Sequence, residues 1–241
     1  KDGKAVFVSG PSIAFVAFTR RAATNLRKAI FKSPILEEKL RNNIMTIHAL
    51  LEYIPETYMD YDDNGNEVEK FRFAPQRHAN NPLNITHLVI EESSMLDAYN
   101  LWRKLYDALL PGVQIVFIGD INQLPPVFGP SILNYALTQL PIVELTEVYR
   151  NQGIVLENAH HILKGESLEE SKDFVIVRGK DQTQQGQAKV ALALGNLFNK
   201  WLDMTGDDGL PEYSPDDCVI LSPWNKQPLG TDNVNSLIAQ H

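Results

Sequence analysis

Two adjacent carboxylates follow an apolar run near the middle of the chain. The run HLVI (87–90) ends on Glu91 and Glu92. Carboxylates at the carboxyl end of a parallel strand lie where α/β sheets bind ligands. One can hold Mg²⁺, directly or through water, while its neighbour orients or deprotonates an attacking water. An isolated Glu-Glu pair is more often a charged strand end that opens a loop, so both interpretations stay open for this pair alone.

The next two polar segments suit the same chemistry. The run QIVFIG (114–119) leads to Asp120, then Gln123 and a rigid Leu-Pro-Pro. The Gln123 amide both donates and accepts hydrogen bonds, which suits it to sense a phosphate or position a water. Arg150 lies between the two halves of the chain, where an arginine can stabilise the charge that develops in phosphoryl transfer. Either segment alone could be a surface feature, but their succession favours a phosphate site.

Strand-like apolar runs alternate with helix-like segments in the first 150 residues. The runs are AVFV (5–8), IAFVAF (13–18), HLVI (87–90), QIVFIG (114–119) and IVEL (142–145). Residues 21–31 and 98–110 have the apolar spacing of helices. This alternation predicts an α/β fold with a mainly parallel sheet. Several runs are continuously apolar, which is typical of strands buried on both faces.

Two regions depart from this alternation. In residues 55–85, strand-like flanks surround Asp-Asn-Gly, which predicts a small β-hairpin insertion. After residue 150 we expect a second domain with an incomplete sheet. Its predicted elements are a helix at 154–164, a strand at 174–177, a helix at 188–203, a strand at 218–222 and a helix capped by Thr231.

Bulk composition restricts the class of protein only loosely. The chain has 241 residues, of which 44% are hydrophobic and 22% charged, as in ordinary globular proteins. Its apolar runs are too short for membrane helices, and no secretion signal opens the chain. The single cysteine, Cys218, excludes an internal disulfide and favours a reducing compartment such as the cytoplasm. The net charge of −8 argues weakly against bulk coating of nucleic acid, although a local groove can still grip a strand.

Three segments in order carry a family resemblance. IEESSM (90–95), GDINQLPPV (119–127) and LTEVYRNQ (145–152) resemble the motifs of superfamily 1 DNA helicases of the RecD-like group. AFTRRAA (17–23), TIHALL (46–51) and SPWNKQPLGT (222–231) support this resemblance. It implies a RecA-like ATPase domain over residues 1–150, part of a second RecA-like domain over 151–241, and the cofactors ATP and Mg²⁺.

The resemblance also implies roles for the residues of the nucleotide site. Glu92 matches the catalytic carboxylate, and Glu91 stands where the family usually has a Mg²⁺-linked aspartate. The longer Glu91 side chain must retract or act through a water. Gln123 matches the γ-phosphate sensor and Arg150 the arginine finger. The further nucleotide-binding positions are Gly10, Pro11, Ser12 and Asp120.

A second set of residues is implied to contact DNA. It consists of Thr19, Arg20, Thr46, His48, Phe71, Phe73, Trp224 and Lys226. Phe71 and Phe73 lie on one face of the predicted hairpin, where relatives carry a strand-separating pin. Structural roles are the alternatives for these residues: a structural histidine at His48, a core position for Trp224 and a merely structural hairpin. The first strand of the hairpin is acidic, which argues against its contacting phosphates.

The phosphate-binding lysine of the family is missing between the first two apolar runs. Relatives carry Gly-x-x-x-x-Gly-Lys-Thr there, whereas here Ser12 is followed directly by Ile13. Two adjacent parallel strands need a crossover of a dozen or more residues, which Pro-Ser cannot provide. We therefore expect that residues are absent between Ser12 and Ile13, and also after His241.

The sequence thus predicts an ATP-dependent helicase that moves 5′ to 3′ along single-stranded DNA. Its expected partners are single strands, duplex junctions and replication or recombination proteins, with no membrane, in the cytoplasm of a bacterial or phage-infected cell. Two alternatives remain. One is an ATPase-inactive DNA-binding or regulatory module of a larger complex, and the other is a superfamily 1 motor that acts on RNA.

Overall fold

The computed structural model describes residues 12–147, 149, 152–172, 174–177, 179, 181–215 and 217–240. The chain divides into two compact units, with the division between residues 147 and 148. Each unit is described by itself below. The run AVFV (5–8) lies outside the described residues.

The first unit contains a four-stranded parallel sheet. Its strands, with those of a separate hairpin, are β1 (Ile13–Ala17), β2 (Ile44–Thr46), β3 (Ile54–Tyr61), β4 (Glu67–Ala74), β5 (His87–Glu91) and β6 (Gln114–Phe117). The sheet has the order β2-β1-β5-β6, and every neighbouring pair is parallel. The predicted α/β class with a mainly parallel sheet is therefore confirmed. Burial alternates along β1 and β5, so these strands are not fully buried on both faces.

Five helices and one 3₁₀ turn join these strands. They are α1 (Arg20–Ile30), α2 (Pro34–Leu40), α3 (Ile47–Leu50), the 3₁₀ turn Ser93–Met95, α4 (Leu101–Asp107) and α5 (Ile132–Gln139). The helices predicted at 21–31 and 98–110 correspond to α1 and to the shorter α4. Polar side chains fix two of the connections, since Arg27 Nη2 donates to the Ile44 carbonyl at 2.6 Å and Asn43 Nδ2 to the Ile13 carbonyl at 2.5 Å.

The core of the first unit lies on one face of the sheet. Ala14 and Val16 of β1 are paired with Leu88 and Ile90 of β5, and all four are buried. They pack in one cluster with buried residues of α3, α4 and their flanking loops, namely Ile47, Leu50, Leu51, Leu83, Leu96, Leu101, Leu105 and Ala108. Burial of this apolar surface stabilises the sheet by about 25 cal/mol per Å² and holds its carboxyl edge in place.

Strands β3 and β4 form a separate two-stranded antiparallel sheet. The turn between them is closed by Asp62, whose Oδ1 accepts hydrogen bonds from the backbone N–H groups of Asn64 (2.8 Å) and Asn66 (2.9 Å). The status of this hairpin as an insertion and its use as a strand-separating pin stay predictions.

The second unit is helical in the part of it that the structure describes. Its helices are α6 (Ile154–Lys164), α7 (Gln184–Leu202) and α8 (Thr231–Ile238). The predicted helix at 154–164 coincides with α6, and the one at 188–203 overlaps α7. Thr231 is the first residue of α8 rather than its N-cap, because the extended backbone that precedes the helix belongs to Gly230.

Three predicted strands are wrong. The segments 142–145, 174–177 and 218–222 form no strand, and within the described residues they pair only through an isolated bridge between Phe174 and Ser171. Their apolar side chains are correspondingly exposed, as at Val143 (89%) and Leu145 (90%). Within the described part of residues 152–240 there is no strand, so a second RecA-like domain stays a prediction.

Candidate functional site

The carboxyl ends of the parallel strands lie side by side and are called here the carboxyl edge of the sheet. This edge brings predicted site residues together. In the strand register, Ala17 is opposite both Thr46 and Glu91, which places the ends of β1, β2 and β5 side by side. Strand β6 ends beside them, since Phe117 is opposite Ile90. Parallel strands expose their carboxyl ends at one edge, and this is where open α/β sheets bind ligands.

Glu91 is the last residue of β5 and is half-buried. Its burial, and then the negative charge of Glu92, raise the pKa of Glu91 above its usual range. Glu92 has left-handed backbone angles, with φ 54° and ψ 39°. Such angles in a residue other than glycine cost of order 1–3 kcal/mol, and they cluster at active sites. The carboxylate pair is therefore held in a strained turn directly after the strand.

The turn after Glu92 is tied to the end of β6. The backbone N–H and the hydroxyl of Ser93, which is buried, both donate to the Ile118 carbonyl at 2.9 Å. The approach is so close that a Cβ atom at Gly119 would lie 2.8 Å from Ser93 Oγ. Gly119 and Ser93 thus set the spacing between the carboxylates and the following loop. Ser93 lies in the motif IEESSM and Gly119 in GDINQLPPV, but the sequence alone did not indicate that these two residues contact each other.

The loop after β6 presents Asp120 and Gln123. Asp120 Oδ1 accepts a hydrogen bond from the Asn122 N–H at 2.9 Å, and its carbonyl accepts one from the Gln123 N–H at 3.2 Å. This is a local turn of the kind that aspartate favours. Both side chains are exposed, so the Gln123 amide is accessible to a ligand.

The carboxylate pair meets the requirements of Mg²⁺. This ion usually keeps several waters and binds through one or two protein carboxylates plus substrate phosphates. No cluster of three or more metal-binding side chains exists among the described residues. One carboxylate still suffices for such a hydrated cation. Glu91 is the residue that would hold it, with the charge of Glu92 beside it.

On the other half of the edge, two threonines cap helices. Thr19 Oγ1 accepts a hydrogen bond from the Ala22 N–H at 3.1 Å at the start of α1, and Thr46 Oγ1 accepts one from the Ala49 N–H at 3.2 Å at the start of α3. Capping accounts for both residues structurally. Each hydroxyl proton remains available to a ligand, since a hydroxyl accepts and donates at once.

A cavity of about 480 Å³ lies beside these threonine caps. It gathers four of the predicted DNA-contacting residues, and its full lining is Arg20, Thr46, His48, Ala49, Glu52, Tyr53 and Phe73. The His48 ring is in edge contact with the rings of Phe18 and Tyr53, with centroid separations of 6.3 Å and 4.9 Å. Partial burial, and then the positive charge of Lys104, lower the pKa of His48. Both effects favour the neutral form of the imidazole.

The predicted residues of the second unit lie in an exposed turn. Trp224 is 46% exposed and Lys226 is also exposed, so core packing does not account for the indole. The Trp224 carbonyl accepts a hydrogen bond from the Thr231 N–H at 3.0 Å, which closes the turn. Gly230 lies inside it, where a Cβ atom would overlap the carbonyl oxygen of Lys226.

One predicted nucleotide-binding residue, Ser12, does not join the carboxyl edge. Ser12 lies at the opposite, amino end of β1, where its carbonyl accepts a hydrogen bond from the Thr86 N–H at 2.8 Å. Gly10, Pro11 and Arg150 lie outside the described residues. No lysine stands between Ser12 and Ile13, so the candidate site consists, among the described residues, of its carboxylate and glutamine side.

Comparison with known proteins agrees with the α/β fold of this parallel sheet. A family model described as "AAA domain" matches residues 4–129, more than half of the chain. The chain therefore belongs to the AAA domain family.

The proteins to which the chain is similar include a DNA helicase and subunits of the RecBCD enzyme. The chain is 28% identical over 193 residues to the ATP-dependent RecD2 DNA helicase of Deinococcus radiodurans, which covers 79% of this chain and 22% of that protein. It is 27% identical over 197 residues to the RecBCD enzyme subunit RecD of Haemophilus influenzae, which covers 76% of this chain and 30% of the relative. A RecD subunit from Buchnera aphidicola is 39% identical over 94 residues, covering 39% of this chain and 13% of the relative. The chain spans less than a third of the length of these relatives.

Of the helices in the part of the chain that the structure describes, none has both the length and the apolar character of a membrane span.

Proposed function

We propose that this chain is the nucleotide-binding part of a motor that hydrolyses ATP and moves along single-stranded DNA. One observation carries the proposal. The carboxyl edge of one sheet has a carboxylate pair and an exposed glutamine loop after β5 and β6, and a cavity with arginine, histidine and aromatic side chains beside the ends of β1 and β2. A phosphate site and a site that contacts the nucleic acid strand would then lie on one rigid edge of the sheet. A structural change at one site can therefore be transmitted to the other. The similarity to the RecD2 helicase and the RecD subunits supports this proposal.

Each residue of the phosphate side has a role in the proposed reaction. Glu92 orients the attacking water and accepts its proton, while Glu91 holds Mg²⁺, through a water where its longer side chain requires one. Gln123 contacts the γ-phosphate and the water. Arg150 stabilises the charge that develops during transfer. A bound Mg²⁺ would neutralise phosphate charge.

The strand-contact side grips the nucleic acid backbone. Arg20 pairs with a phosphate, and the hydroxyls of Thr19 and Thr46 donate to phosphate oxygens. Trp224 and Lys226 make the equivalent contacts from a second RecA-like domain, so that opening and closing of the ATP cleft advances the strand. We propose 5′ to 3′ movement, and duplex junctions and replication or recombination proteins as partners. A duplex with a single 5′ or 3′ tail tests the direction.

The proposed ATPase needs a phosphate loop, which we place between Ser12 and Ile13. In the described structure Ser12 lies at the amino end of β1, away from the carboxylates, whereas a phosphate loop follows the carboxyl end of a strand. Strand β1 already has β2 and β5 on its two sides, so an additional parallel strand can join only beyond β2 or β6. Such a strand needs a long crossover to reach β1.

Peptide mapping tests the missing loop directly. If Ser12 and Ile13 are bonded, trypsin releases the peptide AVFVSGPSIAFVAFTR, residues 5–20. We expect instead that no peptide joins Ser12 to Ile13, and that the inserted residues yield a tryptic peptide ending in Gly-Lys, because trypsin cleaves after the lysine of Gly-Lys-Thr or Gly-Lys-Ser. Detection of the continuous peptide would show that Ser12 and Ile13 are adjacent, as in the chain as written, and would reject the missing loop. That result would favour the second candidate, an ATPase-inactive DNA-binding module.

Nucleic-acid-stimulated ATP hydrolysis tests the main proposal. The full-length protein is assayed alone, with single-stranded DNA and with single-stranded RNA of matched sequence. We expect stimulation by DNA. Glu38→Gln, an exposed change on α2, serves as a charge-matched control with unchanged activity. Stimulation by RNA that equals or exceeds that by DNA would replace the substrate class, and no stimulated hydrolysis would favour the inactive module.

A further inference from the structure

The hairpin of the first unit has two unlike faces. On one face Lys70 Nζ pairs with Asp60 Oδ2 at 2.8 Å, and Arg72 Nη2 with Glu56 Oε2 at 3.4 Å. On the other face Phe71 and Phe73 are 71% and 70% exposed. The first face forms its own ion pairs, whereas the second presents exposed aromatic rings.

The aromatic face changes character along its length. In the strand register Phe73 is opposite Pro55 and Phe71 is opposite Thr57, near the base of the hairpin. Towards the tip the same face carries Glu69 and then Glu67. A polyanion is therefore repelled by the tip, and contact with this face is favourable only at the base.

The base of the hairpin is fixed to helix α3. The backbone N–H groups of Gln76 and Arg77 both donate to the Leu51 carbonyl, at 3.0 Å and 3.2 Å. Arg77 also forms an ion pair with Glu52 at 2.7 Å. These contacts fix the base of the hairpin, and Phe73 lines the cavity that also contains Thr46 and His48.

Tyr53 is the aromatic residue of this cavity that no motif includes. Its ring centroid lies 4.9 Å from that of His48. The ammonium group of Lys104 lies 5.8 Å from the Tyr53 ring centroid, a cation–π contact that fixes the ring from the side of α4. The ring is half-buried and still lines the cavity. It is thus a preorganised flat surface in the cavity that Phe73 also lines.

We propose that this cavity takes one unpaired base of the bound strand, with Tyr53 and Phe73 as its stacking surfaces and Arg20 on the adjacent phosphate. The inference rests on the proposed function and names one contact point of that function. The volume of about 480 Å³ falls within the range of about 300–1,000 Å³ that is typical of small-ligand pockets. Aromatic rings beside a cation suit a nucleotide, since every base has a π face and every phosphate a negative charge.

Lys104 is a positioning residue in this arrangement. It contacts the Tyr53 ring and influences His48 electrostatically, but it is not among the residues that line the cavity. Lys104→Met keeps the length of the side chain and removes its charge. We expect a smaller loss of affinity than for removal of the Tyr53 ring, together with a rise in the pKa of His48 that NMR titration can measure.

The test measures binding of a fluorescent oligothymidylate by the full-length protein, using anisotropy. Loss of one stacked base costs about 5- to 150-fold in affinity. We expect a loss of this order for Tyr53→Ala, a smaller loss for Phe73→Ala and near wild-type binding for Tyr53→Phe. Tyr106→Ala is the matched control, because Tyr106 is exposed and lies outside the cavity.

A second set of oligonucleotides separates stacking from a general loss of fold. Each carries a single abasic site at a different position. For the wild type, one position should weaken binding most, and Tyr53→Ala should abolish the difference at that position only. Affinity loss that is equal for all oligonucleotides would identify a structural defect and overturn the inference.

The remaining outcomes separate this inference from the proposed function. If the wild type binds single strands and Tyr53→Ala binds equally well, the base site is wrong while the motor proposal stands. If the wild type binds no single strand, both fail. If Phe73→Ala leaves strand affinity unchanged but abolishes binding of a protein partner, the aromatic face is a protein-docking surface instead.

Discussion

The two halves of the sheet's carboxyl edge differ in charge and in how their backbones are held. After β5 and β6, a carboxylate pair sits in a left-handed turn that is tied to Gly119. After β1 and β2, threonine caps start two helices, and an arginine and aromatic rings border a cavity. The first half suits a hydrated cation with phosphate, and the second suits a nucleic acid strand. One sheet edge can therefore carry two unlike chemistries, because each strand end contributes its own side chains.

The largest expected separation of the two halves comes from Glu92→Gln. Removal of a general base lowers the rate of hydrolysis by about 10²- to 10⁴-fold. Affinity for single-stranded DNA without nucleotide should change by less than about twofold, because Glu92 is not among the residues that line the strand cavity. Steady-state ATPase rates and anisotropy provide the two readings. A comparable loss of both would mean that the halves are not independent.

Gly119→Ala tests how tightly the half of the carboxyl edge after β5 and β6 is packed. The new Cβ would lie 2.8 Å from Ser93 Oγ and 3.0 Å from Leu133 Cδ2. Overpacking of this kind costs about 1–3 kcal/mol of folding free energy. The control is Gly195→Ala within α7, where the nearest atom is 3.5 Å away and alanine favours the helix. Chemical denaturation should show destabilisation for the first variant and none for the second.

Arg20→Ala tests the half of the carboxyl edge after β1 and β2, which is proposed to contact the nucleic acid strand. Removal of one phosphate contact should weaken single-strand binding several-fold and reduce the slope of log K against log salt by about 0.7. ATP hydrolysis without nucleic acid should be unaffected. Arg21→Ala is the neighbouring control, since Arg21 is exposed but does not line the cavity. Equal effects of the two variants would indicate a diffuse charge effect and contradict a defined phosphate contact.

The smallest expected effect is the pH dependence that His48 contributes. Burial and Lys104 lower the pKa of His48 in the folded protein. Below about pH 6.5, the ordinary value, the unfolded chain therefore binds a proton that the folded chain resists. Stability from this residue is complete above that pH and falls as the pH drops towards the lowered pKa. Thermal unfolding of His48→Gln from pH 7.5 to 5.5 should lose less stability than the wild type. A steeper loss in the variant would contradict this sign.

Much of the sheet was predictable because its strands are short and strongly apolar. The runs that begin at Ile13, His87 and Gln114 form β1, β5 and β6. Strand β2 was missed, since its three residues carry little apolar pattern. The run at 142–145 has the same composition as a strand and remains irregular, because strand formation depends on a partner that local sequence does not specify.

The candidate site likewise contains residues that the sequence predicted and residues that only the structure revealed. The sequence predicted Glu91, Glu92 and Gln123 as site residues, because carboxylates and an amide follow two successive apolar runs. It did not identify Tyr53, which becomes part of a site only through Phe73, a residue twenty positions later in the chain. Similarly, Gly119 acquires its importance from Ser93, with which it shares a contact across two strands.

The sequence by itself determined the order of the chemical groups and the α/β class, since both follow from residue type and local periodicity. The tertiary structure decided which of these groups are neighbours. The parallel register sets Ala17 beside both Thr46 and Glu91, and it puts Ser12 at the opposite edge of the sheet. Parallel pairing joins residues dozens of positions apart through crossovers, so no local pattern can specify it.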